Sequence, residues 1–235
     1  FKLFSKGADK FLLISEFVEG SIPEKMKKKS FLIKNAIKFQ DNILKDSKDD
    51  KKIEKFFKDH KNYKIILFLG NFSKRKRPLF FIQIAKKIKL LYKKKIIFLM
   101  IGDNREFTKN FLLNNIRKLN LYKYFFITNF KRNNYKIISK SHALIATSVD
   151  EPFGLTLLEA MYNKTPIIAS NSGGHREIIK NGYNGFLIEE KNIVLFAKKT
   201  VEILQNKKLK NLILNNASNE VIKNYEFSKY MKKLI

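Results

Sequence analysis

From Tyr63 onward, short apolar runs alternate with helical segments, and that alternation most narrows what the chain can fold into. Tyr63–Leu69 (YKIILFL) is a buried-strand run closed by Gly70, and Ile96–Ile101 (IIFLMI) is a second closed by Gly102. Between them Leu79, Ile82, Ala85, Ile88 and Leu91 recur at helical spacing. Phe107–Asn120 repeats that spacing through Phe111, Leu112, Ile116 and Leu119. The pattern continues with strands at Tyr124–Ile127, Ala143–Thr147, Pro166–Ala169 and Phe186–Ile188. Helical segments fall at Tyr135–Ser141, Thr156–Tyr162, Glu177–Lys180, Ile193–Gln205 and Leu209–Tyr225, with a last short helix near Phe227–Leu234. Strands that are apolar throughout are covered on both faces. Strands alternating with helices at this spacing pair in parallel, with helices on both sides of the sheet. The expected fold is therefore α/β, a Rossmann-like doubly wound parallel sheet over residues 61–225, followed by a C-terminal helix over 226–235. Ligands of such sheets bind at the carboxyl ends of the strands.

The first 40 residues read differently. Phe11–Ile14 and Phe31–Ile33 are short strands with a helix near Glu16–Ile22 between them, too little to close a core alone. They are expected to be the tail of an incomplete N-terminal domain plus a linker. Residues 41–60 (DNILKDSKDDKKIEKFFKDH) form either a charged solvated loop or an exposed helix.

Composition excludes several classes. There is no cysteine, hence no disulfide scaffold, zinc–thiolate site or thiol nucleophile. No apolar run approaches the ~18–20 residues of a spanning helix, and the start lacks the apolar core of a secretory signal, so a cytoplasmic location is expected. The chain begins with Phe rather than Met, the expectation for a fragment or a processed start. The net charge is +28. Of the 49 basic residues only Arg75, Arg77, Arg105, Arg117, Arg132 and Arg176 are arginine, leaving 43 lysines spread along the whole sequence. Planar phosphate recognition favours arginine. The abundance of Lys, Asn, Ile and Phe beside scarce Gly and Pro fits a compositional bias better than a nucleic-acid surface. A polyanion or membrane-surface binder is the alternative reading of this charge.

The chemistry lies in Ser148–Ile188 (SVDEPFGLTLLEAMYNKTPIIASNSGGHREIIKNGYNGFLI). A strand ends at Thr147, a loop carries Asp150, Glu151, Pro152, Phe153 and Gly154, and a helix opens near Leu155 and Thr156. A helix start with free N–H groups is an anion site suited to phosphate. Gly154 lets a ligand approach the backbone closely. Glu151 precedes the helix and Glu159 lies one turn inside it. A carboxylate accepts twice and suits the vicinal hydroxyls of a ribose or a hexose. Phosphate between hydroxylated rings describes a nucleotide sugar.

The run EPFGLTLLEAM resembles the E-x7-E motif of glycosyltransferase family 4, retaining enzymes built from two Rossmann-like domains in the GT-B arrangement. PIIASNSGGHREIIKNGYNGFLI resembles that family's sequel, a strand, a Gly-Gly loop, a Glu-bearing helix and an N-G-x-x-G ending. IILFLGNFSKRKRP resembles the opening of the second domain, and FLLISEFV and FLIKNAI the close of the first domain and the linker. The likeness runs from about residue 8 to 235 and is most specific at 148–188. Asn71 replaces the family's usual Arg, Ala36 the usual linker Gly, and Thr128 a common Gly. The resemblance places the acceptor-binding first domain, with its His, outside this sequence, so the chain alone is not expected to turn over substrate.

The resemblance implies a donor-binding domain that uses a nucleoside-diphosphate sugar, UDP- or GDP-linked, with no other cofactor. The acceptor would be a glycan or a lipid-linked glycan, as in polysaccharide and cell-envelope synthesis. Peripheral contact with an anionic membrane is compatible with that, and nucleic acid is not an expected partner. Lys76 aligns with the family's phosphate-binding Lys and would neutralise charge on the leaving diphosphate; its alternative is a solvated side chain. Arg75 and Arg77 are candidates to replace the Arg missing at Asn71. Glu151 would act near the donor sugar, its alternative being an acid that only favours the helix dipole. Glu159 would accept from ribose hydroxyls. Gly70 and Asn71, and the backbone of Phe153, Gly154, Leu155 and Thr156, would line the donor. Gly173 and Gly174 would turn tightly beside it, Glu177 would cap or brace that turn, and Asn129 and Phe130 would meet the base. His60, His142 and His175 read as structural, with only His175 near the donor. No D-x-D pair occurs, in keeping with the metal-free chemistry of the resembled family. The rival reading is a non-catalytic relic or partner module of the same fold.

Overall fold

The structure, a computed structural model, describes residues 9–38, 48–130 and 134–234. The outermost part of the expected N-terminal tail and residues 41–47 of the charged stretch lie outside the described residues. The chain opens with β1 (Phe11–Leu13), α1 (Glu16–Gly20), α2 (Glu24–Lys27) and β2 (Ser30–Leu32). β1 and β2 pair in parallel as a separate two-stranded sheet, Phe11 against Ser30 and Leu13 against Leu32. Leu13, Ile22 and Met26 make its small core.

Then follow α3 (Lys48–Asp59), β3 (Lys64–Leu69), α4 (Pro78–Leu91), β4 (Ile96–Ile101), α5 (Lys109–Lys118), a 3-10 turn (Tyr122–Tyr124), β5 (Phe125–Thr128) and α6 (Asn134–Ser139). The remainder is β6 (Ala143–Ala146), α7 (Leu155–Tyr162), β7 (Ile167–Ser170), α8 (His175–Ile178), β8 (Phe186–Ile188), α9 (Ile193–Gln205), α10 (Lys207–Asn224) and α11 (Phe227–Leu234). The six strands β3–β8 form one sheet in the order β5-β4-β3-β6-β7-β8, and every pairing is parallel. This is the α/β doubly wound arrangement expected from the alternation.

Strand parity decides the two cores. Ile66, Phe68, Phe98, Met100 and Ile145 point to one face, where they meet Phe81, Ile84 and Ile88 of α4, Leu112 and Ile116 of α5, and Phe196 of α9. Ile65, Leu67, Leu69, Ile97, Leu99 and Leu144 point to the other, against α3, α6, α7, α8 and α10. Both faces are covered, so the strands have no polar side to show. Helix α3 is neither loop nor freely exposed. Ile53, Phe56 and Phe57 share one stripe and are buried in that second core, while Lys51, Lys52, Lys55 and Lys58 face water. Some helix starts differ from the sequence expectation because caps set them. Thr108 accepts from Phe111 N and begins α5 later, and Asn206 accepts from Leu209 N and begins α10 earlier.

The strand order reverses direction between β3 and β6. From β3 the chain winds outward through β4 and β5, then returns to the far side of β3 at β6. The loops leaving β3 and β6 therefore diverge and open a crevice at their carboxyl ends, the position where this architecture holds ligands.

Candidate functional site

The loop after β3 carries Gly70 to Arg77, and the loop after β6 carries Thr147 to Gly154. Hydrogen bonds join them across the crevice. Val149 N donates to Arg75 O at 3.0 Å, and Thr147 Oγ1 donates to Lys76 O at 2.7 Å. These bonds bring Lys76 Nζ to 2.9 Å from Glu151 Oε2, with Arg75 Nη1 at 3.2 Å from the same oxygen. Gly70 leaves room for this: a Cβ there would come within 3.3 Å of the Lys76 side chain. Burial alone would raise the Glu151 carboxyl, but Lys76 and then Arg75 more than offset it and hold it below the ordinary carboxylate range. Arg77 is engaged elsewhere. Its Nη1 donates to Glu190 O at 2.7 Å and its guanidinium lies over the Phe80 ring, so Arg75 alone of the two arginines joins the cluster.

The Glu151 loop is clamped by the glycine pair after β7. Gly174 N donates to Glu151 O at 2.7 Å. Gly173 has φ +53°, and a Cβ on it would lie 2.5 Å from Glu151 O; one on Gly174 would lie 2.6 Å from Phe153 Cα. Ser172 Oγ accepts from Asp150 N, and Ser170 Oγ donates to Ser148 O. Gly154, at φ +115°, turns the chain into α7 directly above His175. His175 is fully buried, its Nδ1 bonds to Ser170 O, and burial lowers its pKa to about 4. It serves the packing of the loop.

Lys76, Glu151, Pro152, Phe153, Gly154, Leu155 and Thr156 line one recess of about 170 Å³ together with Ile14 and Asn35 from the N-terminal segment. Leu157 N donates to Gly154 O at 2.9 Å, while the N–H groups of Leu155 and Thr156 precede the first acceptor that α7 offers. The recess thus combines a helix start and a lysine beside a single acid, with Arg75 outside the lining but bonded to that acid, a set of donors fit for a phosphate. A larger cavity of about 490 Å³ lies apart, between residues 32–36 and helices α10 and α11.

Glu159 sits further along α7 and is half-buried. Among the described residues its carboxylate has no hydrogen-bond or ion-pair partner, and burial raises its pKa to about 7. Tyr135 of α6 is near enough to feel its charge. Asn71 is half-buried at the start of the β3 loop, where its carbonyl accepts from Ser73 N. Asn129 is exposed past the end of β5, and Phe130 N donates to Asp103 Oδ1 at 3.3 Å, at the same sheet edge but outside the recess. The sequence alone does not single out Thr147, Ser170, Ser172 and Ser15. Each spends its hydroxyl on a backbone group of these loops, and only the serines crowding the Gly-Gly pair hinted at it.

The family model described as Glycosyl transferases group 1 matches residues 49–220. The uncharacterized glycosyltransferase MJ1178 of Methanocaldococcus jannaschii is 27% identical over 235 residues, covering 97% of this chain and 57% of its own length. The UDP-Gal:alpha-D-GlcNAc-diphosphoundecaprenol alpha-1,3-galactosyltransferase of Escherichia coli is 27% identical over 184 residues, 77% of this chain and 46% of that protein. The chain thus spans about half the length of these curated relatives. The crystal structure of a glycosyltransferase from Rickettsia africae ESF-5 superposes with a TM-score of 0.80 at 26% identity, covering 96% of this chain and 61% of that one. The Anabaena Alr3699/HepE structure in complex with UDP and glucose superposes at 0.82 with 18% identity over 99% of this chain and 64% of that one, a likeness of fold alone.

Proposed function

The chain belongs to the glycosyl transferases group 1 family, and from that premise we propose that it is the C-terminal, donor-binding half of a retaining GT-B glycosyltransferase of family 4. The donor is a nucleoside-diphosphate hexose, UDP- or GDP-linked, and transfer needs no metal. One observation carries the reading: Lys76 and Arg75 meet Glu151 at the sheet's switch point, beside the start of α7. An arriving diphosphate takes up the two cations and the helix-start N–H groups. Lys76 then offsets the charge that grows on the diphosphate as it leaves. Glu151 stands next to the donor sugar, and Glu159 accepts from the ribose hydroxyls. Departure of the diphosphate and attack by the acceptor occur on one face of the sugar, which retains the configuration. The protein's part is chiefly positioning and charge stabilisation. The acceptor is a glycan or a lipid-linked glycan, bound by a partner domain outside this sequence, and the setting is the cytoplasm.

Calorimetric titration with UDP, GDP and ADP, each with and without Mg²⁺, tests this. Binding of one diphosphate with equal affinity in both buffers is the expected result. A folded sample that binds none would overturn the reading in favour of a relic or partner module.

A peripheral contact with an anionic membrane rests on a different observation. The turns that feed the six strands, with the first residue of β3, hold Lys61, Lys64, Lys93, Lys94, Lys95, Lys123, Lys140 and Lys164. No Asp or Glu occurs in 60–64, 92–95, 119–124, 139–142, 163–166 or 181–185. The loops leaving the strands carry Asp103, Glu106, Asp150, Glu151, Glu189 and Glu190. The turns at this edge, opposite the recess, therefore carry lysine and no acid, although Glu54 and Asp59 of α3 border them, and lysines there are drawn to anionic headgroups by about 1 kcal/mol each.

A further inference from the structure

The recess has a wall that the family motifs of the second domain do not supply. Ile14 and Asn35, from the first 40 residues, line it beside Lys76 and Glu151. Two side chains hold that segment in place. Ser15 is fully buried; its Oγ accepts from Val18 N at 3.0 Å, capping α1, and donates to the carbonyl of Pro152, the residue after Glu151. Glu177 reaches from α8 to the same helix start. Its Oε1 accepts from Phe17 N at 2.8 Å and its Oε2 from Glu16 N at 3.1 Å. Lys34 Nζ lies 3.1 Å from Glu177 Oε2 and 2.7 Å from Glu16 Oε1, which ties the far end of the segment to the same carboxylate. The Glu177 side chain is only 8% exposed. A carboxylate that meets two helix-start N–H groups and a lysine satisfies three donors at once.

These contacts act on the loop that carries Glu151. Pro152 O is held from the N-terminal segment by Ser15, and Glu151 O is held from the other side by Gly174 N, three residues before Glu177. The peptide planes flanking Glu151 and Pro152 are thus fixed by two bonds, one of which exists only while α1 is docked.

We propose that Ser15 and Glu177 are positioning residues of the donor site: they clasp the segment Ile14–Asn35 onto the 150–154 loop, so the recess is complete only with that segment docked, and occupation of the recess and docking reinforce each other. The link to donor binding rests on the reading of the recess given above; the clasp itself does not. Reinforcement follows from linkage, because a ligand that favours the docked arrangement must stabilise it by the same factor.

Backbone hydrogen exchange on the whole chain tests both parts. Without ligand, Ser15→Ala and Glu177→Gln are expected to speed exchange at the amides of Glu16 to Val18 and, together with them, at Gly174 and Leu157. The change is on the order of tenfold, the scale of one lost hydrogen bond, while the amides of β4 stay unchanged. If α1 loosens and Gly174 and Leu157 do not, the clasp is a local cap and the proposal falls. Should Ser15→Ala fail to fold, Glu177→Gln decides alone. Adding UDP, GDP or ADP to the unmodified chain is expected to slow exchange at Glu16 and Phe17, and this slowing is lost in Glu177→Gln. A diphosphate that binds without slowing them overturns the coupling. If none of the three binds, the donor reading fails, and the ligand-free comparison still decides the clasp.

Discussion

Lys76 Nζ lies 2.9 Å from Glu151 Oε2 across 75 positions of sequence, and both atoms are largely withdrawn from water. The pair sits where the sheet changes its winding, so its geometry is set by the topology rather than by either loop alone. On the donor-site reading, a diphosphate replaces Glu151 as the main partner of Lys76. Replacing Lys76 with Ala is expected to weaken nucleoside diphosphate binding about 10- to 100-fold, the range for a charge-assisted bond. Calorimetry measures it; an unchanged affinity removes Lys76 from the site.

Glu159→Ala is expected to cost ~1.5–3 kcal/mol of nucleoside diphosphate affinity, as for hydrogen bonds to a charged group. The ribose role makes a sharper statement. The 2′-deoxy form of the same nucleotide should bind the unmodified chain more weakly and lose less on the substitution. Equal losses for both forms contradict a ribose contact.

The same residue predicts a dependence on pH. Burial raises Glu159 from about 4.5 to about 7, so the folded chain holds a proton that the unfolded chain gives up. Its contribution is present below about 4.5 and is lost as the pH climbs through 7. Glu159→Gln should therefore melt at a higher temperature than the unmodified chain above pH 7, with the difference closing below pH 4.5. Parallel melting curves across that window would count against it.

His175 works in the opposite direction. Burial lowers it from about 6.5 to about 4, so the unfolded chain takes up a proton that the folded chain refuses. Its stabilisation is full above about pH 6.5 and is lost as the pH falls toward 4. His142 shares the window, because burial and then Lys64 and Lys210 lower it to about 4. His175→Gln should flatten the acid loss of melting temperature, whatever it does to stability at pH 8. An unaltered slope sinks the assignment.

Gly173→Ala places a Cβ 2.5 Å from Glu151 O at a φ of +53°. That is strain plus collision with backbone, and the 150–154 loop must move. Loss of nucleoside diphosphate binding with ~1–3 kcal/mol of destabilisation is expected, the scale of a strained backbone position. Retained affinity in a urea-stable variant would show that the loop tolerates displacement.

The sheet and its two helix layers are legible in the sequence, because hydrophobic period is a local property. The runs Tyr63–Leu69 and Ile96–Ile101 announce strands without help from anything distant. The family resemblance located the Glu151 loop and the Gly-Gly turn. What the sequence does not expose is the partner of each polar group. Arg75 and Arg77 are equivalent on paper, yet Arg77 turns to Glu190 O while Arg75 meets Glu151. Ser15 and Pro152 are 137 positions apart, and nothing in either neighbourhood signals the other. Helix α3 reads as charged because lysines outnumber its apolar residues, although three of those close the second core.

Ile37 N donates to Tyr225 O at 2.9 Å, and Phe227 N donates to Ile37 O at 3.1 Å. Ile37 and the junction of α10 with α11 are thereby pinned to each other at one point, like two leaves on a shared pin. A single covalent tether would let the N-terminal segment swivel freely. The two bonds at Ile37 restrict that freedom. The segment that brings Ile14 and Asn35 to the recess is thus anchored at a third place, Ile37, besides Ser15 and Glu177.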